Sequence, residues 1–252
     1  MTTREVQASS FGTAAATYTA VRPGYPGSAI RWGLPPDARV VLDLGAGTGK
    51  VSEALLALGL TVHAVEPDER MLDELRRVAP AAHALLGPAE AIPLPDASVD
   101  AVFVGHAFHW FGPSALTEIA RVLRPGGTVA LLWNLRDDAI DWVARFGTLI
   151  ALGAQDSTRY ESPPPFAENA DLTAPSRQTF THTQRIDRAG LLALAGTRGY
   201  VLALPADRRR ELLAEVAELV DTHPLLAGRE QFELPYVTEV WRAVRRNGAD
   251  DA

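Results

Sequence analysis

The decapeptide VVLDLGAGTG, residues 40–49, constrains the fold of this 252-residue chain more than any other stretch. Its first half, VVLDL, is apolar except for Asp43 and begins with two valines, which is typical of a buried strand, and the glycines that follow indicate a turn at the end of that strand. Because glycine has no Cβ, such a turn lets backbone N–H groups at the start of the next helix approach a ligand closely. The stretch therefore predicts a central strand, a ligand-binding loop and a helix, with a nucleotide-like ligand as the first hypothesis.

The spacing of the glycines separates three known glycine motifs. The dinucleotide fingerprint G-x-G-x-x-G requires glycine at position 50, where the chain has lysine. The phosphate-binding loop G-x-x-x-x-G-K-[ST] requires glycine at 44 and serine or threonine at 51, where the chain has leucine and valine. The pattern that is present, D-x-G-x-G-x-G from Asp43 to Gly49, resembles the first motif of the class I S-adenosylmethionine (SAM) methyltransferases.

Further motifs of that family follow in the same order. The apolar run at 60–67 contains Glu66, about twenty residues after the loop, where a carboxylate can accept hydrogen bonds from ribose hydroxyls. GPAEAIPLPDASVDAVFVGHAFHWF at 87–111 resembles the family's G-x-A-E-x-I-P-x-P-D-x-S-x-D stretch, and LRPGGTVALLW at 123–133 resembles its fifth-strand entry. Together with FGTAAATYTAVRPGYP at 11–26, these motifs resemble the methyltransferase type 11 branch that contains trans-aconitate methyltransferase-like proteins.

This resemblance implies an α/β, Rossmann-like class I methyltransferase fold. We expect a seven-stranded, mostly parallel sheet with an antiparallel last strand and helical insertions that form a lid. Residues 1–252 are expected to form a single domain. Its parts are an N-terminal arm at 1–34, a SAM-binding core at 35–134, lid or insertion segments at 135–176 and 187–230, and final sheet strands at 177–186 and 231–244.

The periodicity of apolar residues predicts the individual elements. The spacing of the apolar residues predicts helices over 48–58, 113–123 and 206–220. It also predicts a helix that begins after Asp68, with Asp68 as its N-cap. Strands are expected within 83–94 and over 99–104, and the Pro-Gly-Gly at 125–127 is expected to turn the helix into the fifth strand.

The resemblance also implies a cofactor, SAM, with S-adenosylhomocysteine (SAH) as its product. The expected contacts lie in the arm, in the glycine loop and at the ends of the next three strands: Tyr18, Arg22, Asp43, Gly45, Ala46, Gly47, Gly49, Glu66, Pro67, Met71, Ala89, Glu90 and Gly105. Arg22 is expected to pair with the methionine carboxylate of the cofactor. The alternatives are that the arm only packs on the domain and that Met71 is an ordinary core residue.

One position departs from the family pattern. The residue before the Ala-Glu pair is often polar in the family and reaches the adenine amino group, but here it is Pro88. This leaves the adenine contact to Ala89 and Glu90.

The loop after the fourth strand carries the candidate acceptor-side residues. His109 is the candidate catalytic residue, because the resembling His-Trp pair faces the methyl group in the family, and Tyr25, His106 and Trp110 are candidate substrate-binding residues. A hydroxyl or amine acceptor would need a base such as His109, whereas a carboxylate acceptor is already ionised and needs cationic anchors. Both cases stay open, as does a structural role for either histidine.

Composition excludes several classes of function. The net charge is −7 and there is no long basic run, which argues against a nucleic-acid partner. The chain has no cysteine, so a disulfide framework and a thiolate metal site are excluded, and we expect no metal. No apolar run reaches the ~18 residues of a membrane-spanning helix, and the N-terminal sequence lacks a signal-peptide core. We expect a cytoplasmic protein with a small-molecule substrate and no membrane partner; monomer and dimer both stay open.

The expected reaction is transfer of the SAM methyl group to a small-molecule carboxylate, hydroxyl or amine by in-line displacement. One alternative is a catalytically inactive SAM- or SAH-binding regulatory protein, which the aromatic and histidine loop at 106–111 disfavours. Another is a dinucleotide-dependent oxidoreductase, which Lys50 disfavours.

Overall fold

The computed structural model describes residues 19–150 and 164–247, which fall into two compact units. Among the described residues, the first unit comprises 19–23, 135–150 and 181–237, and the second comprises 24–134, 164–180 and 238–247. The second unit thus contains the glycine loop and the strands around it. The first unit collects the end of the arm and most of the segments that the sequence assigns to insertions.

Seven strands of the described residues form one sheet in the order β3-β2-β1-β4-β5-β7-β6. β1 pairs in parallel with β2 and β4, β2 with β3, and β4 with β5, while the last strands are antiparallel. This confirms the predicted fold class. The strands are β1 Val40–Leu44, β2 Thr61–Glu66, β3 His83–Leu86, β4 Val99–Gly105, β5 Leu123–Arg136, β6 Ser176–Ile186 and β7 Phe232–Val244.

Helices follow most strands, as the apolar periodicity predicts. The helices are α1 Gly27–Gly33, α2 Lys50–Leu56, α3 Glu69–Val78, α4 Ala115–Val122, α5 Asp141–Ile150, α6 Arg188–Gly196, α7 Gly199–Leu202 and α8 Ala206–Thr222. Short 3₁₀ turns span Phe108–Trp110 and Pro165–Glu168. At the start of α3 the Asp68 carboxylate accepts the backbone N–H of Arg70 at 2.9 Å, which confirms the predicted cap.

Each unit has its own apolar core. In the second unit, alternate residues of β1 and β4, such as Val41 and Phe103, are fully buried among residues of α1 and α2. In the first unit, α5, α6 and α8 bury apolar side chains together with the start of β7, where Trp142 packs edge-to-face on Phe232 with ring centroids 5.6 Å apart. Packing in the second unit's core holds the parallel strands in place. The loops that follow their carboxyl ends are therefore also fixed in position.

The entry to β5 differs from the expected turn. The strand begins at Leu123, directly after α4, and the Pro-Gly-Gly at 125–127 lies within it as an irregularity. Val99 pairs with Leu123, but Ala101 pairs with Thr128, so the extra residues bulge out of the ladder. A Cβ at Gly127 would lie 2.8 Å from the carbonyl oxygen of Arg124, which explains why glycine is needed there.

Two properties bear on partners. Within residues 19–150 and 164–247, no helix is both long and apolar enough to cross a membrane. Across the same residues, no three His, Asp or Glu side chains come together in a group that could hold a metal ion.

Candidate active site

The glycine loop joins β1 to α2 and is open on one side. Gly45, Gly47 and Gly49 all have positive φ, at 67°, 55° and 91°, a region that L side chains rarely adopt. The backbone N–H groups of Gly45 and Ala46 both donate to the carbonyl oxygen of Val65, which fixes the loop against β2. At Gly47, however, an added Cβ would meet no atom within 4 Å. The loop therefore presents its backbone to open space at Gly47.

Gly45 is needed for packing as well as for its backbone conformation. A Cβ there would lie 2.7 Å from the Cβ of Ala107 and 3.1 Å from the Phe111 ring. We expect Gly45→Ala to lower the free energy of unfolding by about 2–4 kcal/mol, since left-handed strain and overpacking add. Gly47→Ala is the matched control, with the strain of about 1–2 kcal/mol but no clash. Urea denaturation checks both, and equal losses would contradict the packing argument.

Glu66, at the end of β2, holds the glycine loop. Its Oε2 accepts the backbone N–H of Gly47 at 2.8 Å, and its Oε1 accepts that of Asp68 at 3.0 Å. Burial raises the pKa of Glu66, and these two backbone hydrogen bonds oppose that rise. An ionised carboxylate offers about four lone-pair sites, so Glu66 keeps capacity for two further donors.

Asp43 is a buried carboxyl group beside this loop. Its Oδ2 accepts a hydrogen bond from the Ser52 hydroxyl at 2.6 Å, while Oδ1 has no hydrogen-bond partner among the described residues. Burial is the main cause that raises the pKa of Asp43 to about 7; the Ser52 hydrogen bonds oppose it, and the charge of Glu66 adds to it. Asp43 therefore exchanges its proton near neutral pH.

The raised pKa of Asp43 predicts a pH-dependent stability. Between its ordinary value of 3.8 and about 7, the folded protein holds a proton that the unfolded chain has lost, so stability falls as pH rises through this window. We expect Asp43→Asn, which can still accept from Ser52, to flatten this slope. Urea denaturation between pH 5 and pH 8 measures it, with the exposed Asp138→Asn as the control. An unchanged slope in Asp43→Asn would contradict the assignment.

The loop after β4 begins with a close contact and a strained residue. A Cβ at Gly105 would lie 2.7 Å from the Tyr25 hydroxyl oxygen, so glycine is what lets Tyr25 approach the backbone there. His106 has a φ of 53°, which is uncommon for any residue but glycine and is a feature that clusters at functional sites. Its Nε2 accepts the backbone N–H of Asn134 at 2.7 Å. An accepting ring nitrogen carries no proton, so the His106 ring has its proton on Nδ1.

Asn134, the residue that fixes His106, is itself held from two sides. Its Nδ2 donates to the carbonyl oxygen of Gly24 at 2.9 Å, and its Oδ1 accepts from the Thr238 hydroxyl at 2.6 Å. The ends of β4 and β5, the chain before α1 and β7 are thus tied together around His106. Sequence reasoning missed Asn134 and Thr238; the available signal was that Asn134 is the first polar residue after the apolar run of β5.

The 3₁₀ turn Phe108–Trp110 presents His109 and Trp110 as half-buried side chains. Their ring centroids lie 4.7 Å apart. Phe108 anchors the turn, because it is buried and packs edge-on against Phe111 and Phe166, at 5.8 and 6.2 Å. The turn is therefore anchored by packing, and the Nδ1 atom of the His109 imidazole is buried.

The loop after β3 is tied to the same region. The backbone N–H of Gly112 donates to the Glu90 carboxylate, and Ala89 is buried. Arg121 donates to the carbonyl oxygens of Ile92 and Leu94, which holds the rest of the loop. Glu90 therefore links the loop after β3, where we expect cofactor contacts, to the loop after β4, where we expect acceptor contacts.

The predicted site residues divide between the two units. Those of the glycine loop and of the strand ends all belong to the second unit: Tyr25, Asp43, Gly45, Ala46, Gly47, Gly49, Glu66, Pro67, Met71, Ala89, Glu90, Gly105, His106, His109 and Trp110. Within this set Met71 is buried and Pro67 is exposed. Arg22 belongs to the first unit, where its guanidinium lies 3.4 Å from the carbonyl oxygen of Thr197. Tyr18 lies outside the described residues.

Comparison with known proteins gives the family. A family profile described as a methyltransferase domain matches residues 42–131. An uncharacterized methyltransferase of Mycobacterium tuberculosis is 46% identical over 93% of this chain and 95% of its own length. A solved structure from Anaeromyxobacter dehalogenans, described as a type II methyltransferase, is 26% identical with a TM-score of 0.66, and the match covers 89% of this chain and 97% of that one.

A more distant structure shares the fold. It is a phosphoethanolamine N-methyltransferase of Haemonchus contortus in complex with phosphomonomethylethanolamine and S-adenosylhomocysteine. It is 16% identical with a TM-score of 0.54, and the match covers 98% of this chain and 61% of that one. Because the Mycobacterium tuberculosis methyltransferase matches nearly the whole chain at 46% identity, the chain belongs to the SAM-dependent methyltransferases with the class I fold.

Proposed function

We propose that this methyltransferase binds SAM at the glycine loop and transfers its methyl group to a small-molecule acceptor beside the loop that follows β4. One observation carries the cofactor site: the loop backbone is open at Gly47, directly where the Glu66 carboxylate accepts the Gly47 N–H at 2.8 Å. A nucleoside can approach the backbone there and meet a carboxylate with spare lone pairs.

The residues present fit a nucleoside ligand. The opening at Gly47 is one that a Cβ would fill, and Glu66 retains acceptor capacity for ribose hydroxyls. The turn after β2 offers buried Met71 as an apolar neighbour, and Ala89 and Glu90 supply backbone and carboxylate groups after β3. These residues would hold the adenosine end of the cofactor. The SAH bound in the Haemonchus contortus structure supports the same cofactor for this fold.

When bound, SAM supplies a methyl group on a positively charged sulfur. The protein's task is to align the acceptor with that methyl and to exclude water, a proximity effect worth up to roughly 7–11 kcal/mol. The acceptor site would be lined by Tyr25, which lies against Gly105, and by the turn Phe108–Trp110. The His106 ring, fixed by the hydrogen bond from the backbone N–H of Asn134 to its Nε2, would lie in the same loop.

His109 is the candidate general base. With a hydroxyl or amine acceptor, we expect His109→Ala to lower turnover by about 10² and to leave SAH affinity within about twofold. With a carboxylate acceptor, turnover should fall little, because an ionised acceptor has no proton to lose. Initial rates and calorimetric SAH titrations on the same preparations check this, with His83→Ala on the exposed edge strand as control. A large loss of SAH affinity in His109→Ala would place the residue on the cofactor side instead.

The proposal is tested by titrating SAH and NAD into the protein, followed by a methyl-incorporation screen over small acids, phenols and amines. Binding of SAH but not NAD, together with methyl transfer to one acceptor class, is the expected result. The screen also distinguishes the carboxylate, hydroxyl and amine acceptors that the sequence leaves open. Binding of SAH without transfer would favour the regulatory alternative, and absence of SAH binding would overturn the cofactor site.

A further inference from the structure

Two histidines lie side by side on neighbouring strands of the second unit. His63 is in the middle of β2 and His83 begins β3, and the two are direct partners in the parallel pairing of these strands. Paired residues of adjacent strands project from the same face of a sheet, so their side chains meet. The two imidazole ring centres lie 5.2 Å apart, with an interplanar angle of 31°. The pairing of the backbone thus sets the separation of the two rings.

The ring nitrogens of this pair are not used by the fold. The Nδ1 atom of His63 is buried and has no hydrogen-bond partner among the described residues. Within residues 19–150 and 164–247, the ring of His83 makes no hydrogen bond or ion pair either. A buried polar atom without a partner is rare in native proteins, and a bound water or ion is one of its ordinary explanations.

Other imidazoles of this protein have their nitrogens committed to the fold. The Nε2 atom of His106 accepts the backbone N–H of Asn134 at 2.7 Å. The Nε2 atom of His223 lies 3.1 Å from a carboxylate oxygen of Asp141, and its Nδ1 accepts the backbone N–H of Leu225 at 3.2 Å. By contrast, His63 and His83 contact each other without such partners, so their nitrogens are available to a ligand.

The pair is neutral where it matters and open to solvent. Burial lowers the pKa of His63, and the charge of His83 lowers it further. His63 is therefore neutral at pH 7, and a neutral imidazole is the form that binds metal ions. His83 is exposed, because β3 is the edge strand and the connection from β3 to β4, residues 87–98, contains no helix. A hydrated ion can therefore reach the pair.

The separation of the rings suits two imidazoles on one metal ion. In a tetrahedral zinc site with Zn–N bonds of about 2.0–2.1 Å, the ring centres of two histidine ligands lie about 5 Å apart. The rings of His63 and His83 match this separation before any ion binds. Imidazole nitrogen suits Zn²⁺, Ni²⁺ and Cu²⁺, whereas Mg²⁺ and Ca²⁺ prefer oxygen ligands.

We propose that His63 and His83 form a two-histidine binding site for a divalent transition-metal ion of the class of Zn²⁺, Ni²⁺ and Cu²⁺. Among the described residues no third His, Asp or Glu side chain joins the pair, so water fills the remaining coordination positions. The bound ion ties the edge strand β3 to β2. This site departs from the expectation of no metal, which rested on the lack of cysteine. It does not rest on the proposed function, because neither histidine belongs to the proposed cofactor or acceptor site.

The test is a calorimetric titration of Zn²⁺, and then of Ni²⁺, into the full chain without a histidine tag at pH 7.5. We expect the wild-type protein to bind about one ion per chain. His83→Ala should lose at least about tenfold in affinity, since even the loss of a group that only supports a metal ligand typically costs that much. His182→Ala, which removes a half-buried histidine from β6, is the matched control and should keep wild-type affinity.

A second readout follows the stability of the fold. An ion that binds only the folded state raises the melting temperature, so saturating Zn²⁺ should stabilise the wild-type protein and His182→Ala but not His83→Ala. Circular dichroism first checks that each variant is folded; His83 is exposed, so its replacement leaves the core intact. His63→Ala, at the more buried position, should lose metal affinity to the same extent.

Three outcomes would overturn the metal site. One is a wild-type protein that binds neither Zn²⁺ nor Ni²⁺. Another is equal affinity for these ions in the wild-type protein and in His83→Ala. The third is a loss of affinity in His182→Ala as large as the loss in His83→Ala, because the ion would then depend on histidines outside the pair.

Discussion

Replacing Gly47 by valine is expected to lower the affinity for SAH more than about 100-fold without unfolding the protein. A Cβ at this position meets no protein atom within 4 Å, so the valine side chain does not clash inside the fold. It projects instead into the open space beside the Glu66 carboxylate, which is the approach that we assign to the nucleoside. The φ of 55° adds strain of about 1–2 kcal/mol, which lowers stability modestly.

Gly59→Val is the control that separates the effect of backbone strain from blockage of the cofactor site. Gly59 also has a positive φ, 77°, and no atom within 4 Å of an added Cβ, but it lies in the turn that follows α2. Both valine variants should lose similar unfolding free energy in urea, and only Gly47→Val should lose SAH affinity in calorimetric titration. SAH binding by Gly47→Val within a few-fold of wild type would contradict the assignment of the loop.

Glu66→Ala is expected to cost 1.5–3 kcal/mol of SAH affinity, roughly a 10- to 150-fold loss, because hydrogen bonds to a charged group are lost. The structure adds a second consequence. The Glu66 carboxylate holds the N–H groups of Gly47 and Asp68, so the alanine variant also loosens the loop and lowers stability. Glu66→Gln keeps one acceptor oxygen and should recover part of both losses.

A comparison of ligands isolates the ribose contact from the loosened loop. Adenosine and 2′,3′-dideoxyadenosine differ only in the two hydroxyls that Glu66 is proposed to bind. Wild-type protein should prefer adenosine, and in Glu66→Ala this preference should vanish even though both affinities fall. A preference that survives in Glu66→Ala would mean that Glu66 acts only as an anchor of the loop.

The features that sequence predicted well are local ones. The glycine loop, the end of β2 and the Asp68 cap depend on backbone conformation and on contacts a few residues apart, so the pattern of residues specifies them. The sheet order was predictable only through the family resemblance, because the alternation of apolar and polar residues in a strand does not specify which strand pairs with it. The start of β5 was predicted too late, because the sequence Pro-Gly-Gly by itself is typical of a turn. In the structure β5 pairs with β4 on both sides of these residues, so they form a bulge within the strand.

The features that sequence did not predict depend on register between distant elements. The tautomer of His106 follows from a hydrogen bond to the backbone of Asn134, and Asn134 in turn is held by Thr238, 104 positions away. The contact between the Arg22 guanidinium and the carbonyl oxygen of Thr197 likewise joins segments 175 positions apart. The roles of His109, Tyr25 and Trp110 stay predictions, because they concern an acceptor whose identity no residue pattern encodes.

A crystal structure of the protein with SAH bound would test the cofactor site. We expect both ribose hydroxyl oxygens to lie within about 3 Å of the Glu66 carboxylate oxygens, with the nucleoside passing the backbone of Gly47. SAH bound elsewhere on the protein, or bound with Glu66 still contacting only backbone N–H groups, would show that the cofactor site is wrongly assigned.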